Sequence, residues 1–111
     1  MIIGTRNLKV RSQQGDVDVP VRIFAPVEDA ERGWGCKFEI EWPNGADTMT
    51  ARGIDAIQAL EIAMKMIGAH LYTSKQHEAG ELMFDKRGAG YGFPVPQNMR
   101  DLLIGDDAKF L

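Results

Sequence analysis

The fold of this protein is decided by residues 34–42, WGCKFEIEW. Large apolar side chains alternate here with charged or small ones, which is the period of a β-strand with one buried and one exposed side. The apolar set comprises Trp34, Cys36, Phe38, Ile40 and Trp42. Five such groups on one side predict a sheet that packs one face on a core and turns the other to water.

Two predicted strands precede this stretch. Residues 3–11 contain Leu8 and Val10 at alternate positions, and residues 17–23 alternate Val and Ile with polar residues. Pro20 lies inside the second of these strands. Because proline cannot donate a hydrogen bond to a ladder, we expect a free edge or a bulge at this position.

The following residues complete the predicted sheet. Residues 26–33 are polar and predict a loop, residues 47–51 predict a fourth strand, and residues 81–84 allow a fifth. Connections this short are typical of an antiparallel meander, which we expect over residues 1–51. The predicted sheet therefore has four or five strands, mainly antiparallel.

One long helix is predicted over residues 54–73. The apolar period changes there to 3.6 residues, with Asp55 as N-cap and Gln58 completing a capping-box pattern. The stripe predicted to face the sheet comprises Ile57, Leu60, Met64, Ile67 and Leu71. About 20 helical residues span ~30 Å, enough to cover the buried face of the sheet. The predicted fold class is α+β, with this helix packed across one face.

The rest of the chain, residues 74–111, is predicted to be an irregular tail rich in Gly and Pro. Residues 88–96, GAGYGFPVP, contain too much of both for regular structure. Residues 99–104 favour one short C-terminal helix. A chain of 111 residues has the length of one domain, so we expect residues 1–111 to form a single unit.

Composition argues against several classes of partner. The net charge of −3, with scattered Lys and Arg, argues against nucleic acid and anionic membranes, because both require a cationic footprint. The longest apolar stretch, residues 54–72, is interrupted by polar and charged residues, which argues against a membrane span. A single cysteine and the absence of a signal pattern favour a cytoplasmic location.

A second apolar stripe lies on the predicted helix, roughly opposite the sheet-facing one. It comprises Ala59, Ile62, Met66 and Ala69, and we call it the outer stripe. A helix that covers a sheet normally turns a polar face to water. Three explanations stay open, since the C-terminal tail, a second copy of the chain or another protein could each cover the outer stripe.

No catalytic, metal-binding or cofactor-binding site is predicted. The glycines of residues 88–92 are followed by prolines rather than by a helix N-terminus, unlike those of a phosphate-binding loop. His70 and His77 lie too far apart along one helix to bind one metal ion. We expect His70 to be partly buried and His77 to lie at the surface.

We predict structural rather than chemical roles for Cys36 and for the acidic side chains. Cys36 falls on the predicted buried face, where a thiol stays protonated and unreactive. Glu39 and Glu41 share the exposed face of their strand, and we expect them to be solvated. Asp106 and Asp107 are predicted to be solvated charges of the tail.

Two motifs resemble a family of small uncharacterised bacterial proteins. Residues 34–36, WGC, match an aromatic-x-Cys strand, and residues 53–60, GIDAIQAL, match a helix start of the form G-x-D-x-x-Q-A-L. The resemblance covers residues 34–72 and extends loosely to Phe93 and Pro94. It implies an α+β domain of bacterial cytoplasmic origin, without a particular activity.

Two functions of different classes are predicted. The outer stripe favours a non-enzymatic interaction protein that acts as a homodimer or as the partner of another protein. The alternative is a small-molecule binding domain or simple enzyme with a cleft near residues 85–96, lined by Trp42, Arg87, Tyr91 and Phe93. A toxin-neutralising or phage-related accessory protein is a third hypothesis, which rests on class analogy alone.

Overall fold

The computed structural model shows a six-stranded antiparallel sheet with one long helix across one face. The strands are β1 (Ile2–Ser12), β2 (Gly15–Phe24), β3 (Val27–Asp29), β4 (Gly33–Trp42), β5 (Gly45–Gly53) and β6 (Leu82–Met83). The helices are α1 (Ala56–Tyr72), α2 (Lys75–Glu78) and α3 (Gly105–Phe110), with a 3-10 helix at Gln97–Leu102. The predicted α+β class, the long helix and the short C-terminal helix are confirmed.

Strand β4 organises the sheet. Its whole length pairs on one side with β5, from Trp34 opposite Gly53 to Trp42 opposite Gly45. Its other side pairs with β3 near the start of the strand and with β2 further along. The sheet continues from β2 to β1 and ends at the two-residue β6.

The strand β3 was not predicted. It lies within residues 26–33, which the sequence assigns to a loop. The observed sheet therefore has six strands, one more than the upper end of the expected four or five. All three residues of β3 are exposed. A strand this short, with no buried side chain, has no apolar alternation from which a period could be recognised.

Pro20 lies where one side of β2 is unpaired. Its partner in β1 is Asn7, whereas pairing with β4 is limited to Val21, Arg22 and Ile23. The strand therefore leaves β4 immediately before proline would have to donate a hydrogen bond to it. The strand β2 is therefore not an edge strand of the sheet, but Pro20 lies on a stretch of it that β4 leaves unpaired.

The buried face of the sheet carries the core. Phe38, Ile40 and Cys36 are fully buried, and Trp42 is nearly so, which confirms the predicted register of β4. Burial raises the pKa of the Cys36 thiol. Side chains from the other strands, the helix and the tail complete the core: Leu8, Val10, Val19, Val21, Ala51, Ala59, Ala63, Ile67, Leu71, Tyr91, Phe93, Val95 and Leu103.

Helix α1 begins with the predicted cap. The Asp55 carboxylate accepts a hydrogen bond from the Gln58 N–H at 2.7 Å, and the Gln58 side-chain oxygen accepts one from the Ile54 N–H at 2.7 Å. The first bond satisfies one of the four N–H groups that a helix start leaves without intrahelical partners. The second ties Ile54, the residue before the N-cap, to the first turn. The cap fixes where the chain leaves β5 and enters the helix.

The assignment of Ile57 to the sheet-facing stripe is wrong, because its side chain is 77 % exposed. The buried side of α1 is centred instead on Ala59, Ala63 and Ile67, which are fully buried. By helical periodicity Ile57 points toward the flank that the tail covers further along the helix. The tail does not reach the first turn, so Ile57 stays in water.

The C-terminal segment crosses one flank of α1. A Cβ on Gly68 would overlap the backbone carbonyl oxygen of Pro94, so the extended segment lies directly on the helix backbone at this glycine. Met64, one turn earlier, lines a cavity together with Phe93. The tail therefore covers the flank of α1 that contains Met64 and Gly68.

The outer stripe lies on the opposite flank of α1, toward β5. His70 packs edge-on against the Phe38 ring at 6.0 Å, and together with Thr73 it lines a cavity with the first residues of β5. Ile62 and Met66 precede these residues on the same side of the helix. The contacts that place the tail on α1, at Met64 and Gly68, lie on the other flank of the helix.

Candidate functional site

A cluster of polar side chains is buried where α1, α2 and α3 meet. Asp107 is only 2 % exposed and accepts three hydrogen bonds. Its donors are the Tyr72 hydroxyl at 2.5 Å and the backbone N–H groups of Tyr91 and Gly92, both at 2.8 Å. The prediction that Asp107 is a solvated charge is therefore wrong, whereas Asp106 beside it is exposed.

His77 belongs to the same cluster. Its Nδ1 lies 2.5 Å from the hydroxyl oxygen of Tyr91, and its ring packs edge-on against those of Tyr72 and Tyr91. The side chain is partly buried, so the predicted surface position is wrong. Ser74 explains the difference: it caps α2 by accepting a hydrogen bond from the His77 N–H at 3.1 Å, which starts a new helix and turns His77 inward.

Burial fixes the protonation of the cluster. It raises the pKa of Tyr72, with a further contribution from the hydrogen bond to Asp107. Burial and the charge of Asp107 raise the pKa of Tyr91 to about 12. Burial also lowers the pKa of His77. At neutral pH both tyrosines are protonated and the imidazole is neutral, so Tyr91 donates to Nδ1 of His77 and Tyr72 donates to Asp107.

Tyrosine, histidine and aspartate are residue types of acid–base catalysis, but here Tyr72, Tyr91 and Asp107 are shielded from solvent and only His77 is partly exposed. Tyr72 and Tyr91 are both almost fully buried, and every buried side-chain nitrogen and oxygen has a hydrogen-bond partner. A general acid or base must reach a proton of its substrate directly or through one water. The cluster is therefore a clamp that joins α3 and the tail to α1.

Arg6 holds the same tail from the sheet side. Its guanidinium lies over the rings of Phe84 and Phe93, at 5.1 and 4.8 Å from the ring centroids. It also donates hydrogen bonds to the carbonyl oxygens of Gly92 at 2.8 Å and Tyr91 at 3.3 Å. The buried cluster and Arg6 together fix residues 91–93 between α1 and β1.

The exposed face of the sheet contains a hollow of ≈ 460 Å³ at Gly35, which we call the Gly35 hollow. Its main lining residues are Phe24, Val27, Gly35, Lys37, Thr50 and Arg52. Across the β4–β5 ladder Gly35 is opposite Arg52 and Lys37 is opposite Thr50. The missing side chain at Gly35 therefore opens the floor between two cationic neighbours.

The outer edge of β5 is the second open surface. Strand β5 pairs with β4 alone, over its full nine residues. Its side chains from Gly45 to Thr50 are exposed. An unpaired edge presents a row of free backbone N–H and C=O groups, which is a template for another strand.

The family of the chain follows from a comparison with family models. A model described as "Domain of unknown function (DUF6968)" matches residues 4–95. The chain belongs to the DUF6968 family. The match includes the sheet, α1, α2 and the tail up to Val95, and it ends before α3 with Asp107. No curated protein and no solved structure was found to match the chain.

The DUF6968 structure does not bring the four predicted cleft residues into one cavity. Trp42 lines a cavity of ≈ 510 Å³ at the end of α1 and donates from Nε1 to Asp47 at 3.0 Å. Phe93 lines a separate cavity of ≈ 190 Å³. Tyr91 is buried in the cluster, and the exposed Arg87 lines none of these cavities.

The four residues of the outer stripe differ in exposure. Ala59 is fully buried under the helix, so it offers no contact area to a partner. Ile62 and Met66 are partly buried and pack against the core, while Ala69 is partly buried. The accessible part of the outer stripe is therefore formed by Ile62, Met66 and Ala69.

Two general features of the DUF6968 chain complete the description. None of its helices combines the length and the apolar character that crossing a bilayer requires. No three His, Cys, Asp or Glu side chains are grouped so that they could hold a metal ion.

Proposed function

We propose that this DUF6968 protein is a non-enzymatic interaction protein that forms a homodimer through the edge of β5 and the adjacent flank of α1. The observation that carries the proposal is the nine-residue edge strand with a single neighbour. Addition of a strand to a free sheet edge is a common mode of protein association.

The β5 edge lacks two of the features that protect free edges, although it carries the charged residues Asp47 and Arg52. Its sequence, GADTMTARG, contains neither proline nor lysine, and these residues are common guards against edge-to-edge pairing. The opposite edge of the sheet is treated differently. There β6 covers part of β1 at Lys9 and Val10, and a register shift interrupts β1 between Ile2 and Gly4. The contrast supports β5 as the edge kept open for a partner.

The sequence of β5 is compatible with pairing to itself. In an antiparallel ladder with Met49 on the two-fold axis, Thr48 lies opposite the partner's Thr50, and Ala46 lies opposite the partner's Arg52. Cross-strand threonine pairs are favourable and no like charges face each other. A two-fold interface requires this kind of self-complementarity.

The flank of α1 beside β5 offers apolar surface to the same partner. Met49 points to the buried face of the sheet, because it is opposite Phe38, yet it is 40 % exposed. Ile62 and Met66 lie on the flank of α1 that faces β5 and are partly buried. A second copy that extends the sheet would place its own helix along this flank and bury these three side chains.

The dimer can be tested by sedimentation and light scattering. We expect a mass of twice 12.3 kDa for the native chain. Met49→Lys should raise the dissociation constant at least tenfold, about 1.4 kcal/mol, because the two-fold axis would set two ammonium groups against each other. Ile62→Asp with Met66→Asp should also weaken the dimer, through the helix flank.

Ile57→Lys is the matched control, since it also places a charge on an exposed apolar position but in the first turn of α1, away from the proposed interface. It should leave the mass unchanged. A native chain that remains at 12.3 kDa up to about 1 mM, where even a 4 kcal/mol association would be visible, would exclude the homodimer.

The setting of this function is also a proposal. We infer that the protein acts in the bacterial cytoplasm, with itself or another protein as partner and without nucleic acid or membrane. The buried unpaired thiol of Cys36 suits a reducing compartment, and the motifs of residues 34–36 and 53–60 resemble bacterial proteins. Fractionation of the native host would test the location.

A further inference from the structure

The Gly35 hollow has the size and shape of a small-molecule site. Its volume of ≈ 460 Å³ lies within the range of about 300–1,000 Å³ that is typical of ligand pockets. Strands β2 and β3 pair with different halves of β4, and the chain between them forms a wall that includes Phe24 and Val27. One side of the hollow is therefore apolar.

Two cations line the other side of the hollow without a carboxylate partner. The ammonium of Lys37 is 4.6 Å from the centroid of the Phe24 ring. The guanidinium of Arg52 lies on the floor, where a Cβ on Gly35 would come within 2.7 Å of its Nη1. Two cations of the exposed face, Lys9 and Arg22, are ion-paired with Asp18 and Glu41. Lys37 and Arg52 form no ion pair.

The two free cations are positioned to act together. Lys37 and Arg52 are diagonal neighbours on adjacent strands, a relation that places Cβ atoms about 7–8 Å apart. Long basic side chains at this separation can both reach one oxyanion. Two acidic residues, Glu28 and Asp29, also line the hollow, and neither forms an ion pair with Lys37 or Arg52. The Asp29 carboxylate accepts a hydrogen bond from the Glu31 N–H at 2.9 Å.

We propose that the Gly35 hollow binds a small organic anion, with a carboxylate or phosphate head group on Lys37 and Arg52 and an apolar body against Phe24 and Val27. Ligand sites commonly combine an apolar wall with a few polar groups that fix orientation. The hollow is open to solvent on one side, and its volume of ≈ 460 Å³ suits a small molecule. This inference goes beyond the proposed dimer, which uses the edge of β5 rather than its exposed face.

The test is an NMR titration of the full ¹⁵N-labelled chain with phenyl phosphate, followed through the backbone amides of residues 24–37 and 50–52. Inorganic phosphate and phenol, added separately, present the two halves of the probe. We expect phenyl phosphate to bind at least about tenfold more tightly than either half, since the head group and the apolar body are recognised together. Added salt should weaken the binding.

Charge-removing variants locate the site. Arg52→Gln should weaken phenyl phosphate binding about tenfold and Lys37→Gln by a smaller factor. Arg11→Gln is the control, because it removes a cation from β1 at the far end of the same face and should leave the affinity unchanged. The monomeric Met49→Lys chain should bind the probe normally, which separates this inference from the proposed dimer.

Two results would overturn the inference. The first is a set of amide chemical-shift changes spread evenly over the exposed face of the sheet. The second is an Arg11→Gln variant that loses as much affinity as Arg52→Gln. Either result would show that the probe is attracted by general surface charge and not by the Gly35 hollow.

Discussion

Replacement of Asp107 by alanine is expected to destabilise the protein far more than a C-terminal surface residue normally would. The carboxylate accepts hydrogen bonds from the Tyr72 hydroxyl, the Tyr91 N–H and the Gly92 N–H. Alanine removes both acceptor oxygens and so all three hydrogen bonds at once. The tail then loses its main polar attachment to α1.

The expected loss follows from which donors can reach water. Tyr72 and Tyr91 are buried, so their two donors stay unsatisfied in the variant, whereas Gly92 is exposed and its N–H can turn to solvent. A buried donor left without a partner costs about 1–3 kcal/mol. The free energy of unfolding should fall by about 3–5 kcal/mol, a large part of the 5–15 kcal/mol typical of a domain. Asp107→Asn keeps one acceptor oxygen and should lose about half as much.

Urea unfolding followed by the fluorescence of Trp34 and Trp42 measures the effect. Asp107→Ala should lower the midpoint by more than about 1 M urea at an unchanged slope. Asp106→Ala is the matched control, because the neighbouring carboxylate occupies the same first turn of α3 but is exposed. It should cost less than about 0.5 kcal/mol. Equal losses in the two variants would refute the buried clamp.

Three further predictions concern the same region. Gly68→Ala should lower the free energy of unfolding in urea by more than about 2 kcal/mol, because the alanine Cβ would overlap the carbonyl of Pro94. This loss is expected although alanine is the better helix former by about 1 kcal/mol. A gain in the free energy of unfolding would contradict the close contact. Tyr91 has a pKa raised from 10.0 to about 12, so the folded state binds more protons in this interval and stability should fall by about 1.4 kcal/mol per pH unit as the pH rises. Tyr91→Phe should flatten that decline, and tyrosinate absorbance of the native chain should increase only as it unfolds. His77 has a pKa lowered from 6.5, so its contribution to stability is present above pH 6.5 and is lost as the pH falls toward the folded pKa. In thermal melts at acid pH, the stability of His77→Gln should therefore decline less steeply than that of the native chain. An identical decline would contradict the burial of the imidazole.

Local pattern was sufficient for the elements that carry a strong period. The alternation over residues 34–42 predicted which side chains of β4 are buried, and Asp55 with Gln58 predicted the start of α1 to within two residues. Both signals arise from neighbours in sequence, because strand alternation and helix caps are set by the backbone itself.

The candidate sites could not be predicted in this way. Asp107 meets the Tyr72 hydroxyl across 35 positions, and nothing beside Asp107 in the sequence distinguishes it from the exposed Asp106. The hollow at Gly35 depends on the register that sets Arg52 opposite the glycine. A glycine two residues before Lys37 on the exposed side of β4 was the only local signal, and it does not indicate a hollow until the neighbouring strand is aligned.

The sequence by itself therefore determined the α+β class, the sides of β4 and the extent of α1, since these depend on periods and caps within each segment. Only the tertiary structure decided which flank of α1 the tail covers, that β5 is left as a free edge, and that His77 and Asp107 are buried. These features depend on contacts between segments far apart in the chain, where loop closure and packing rather than local propensity choose among arrangements of similar local stability.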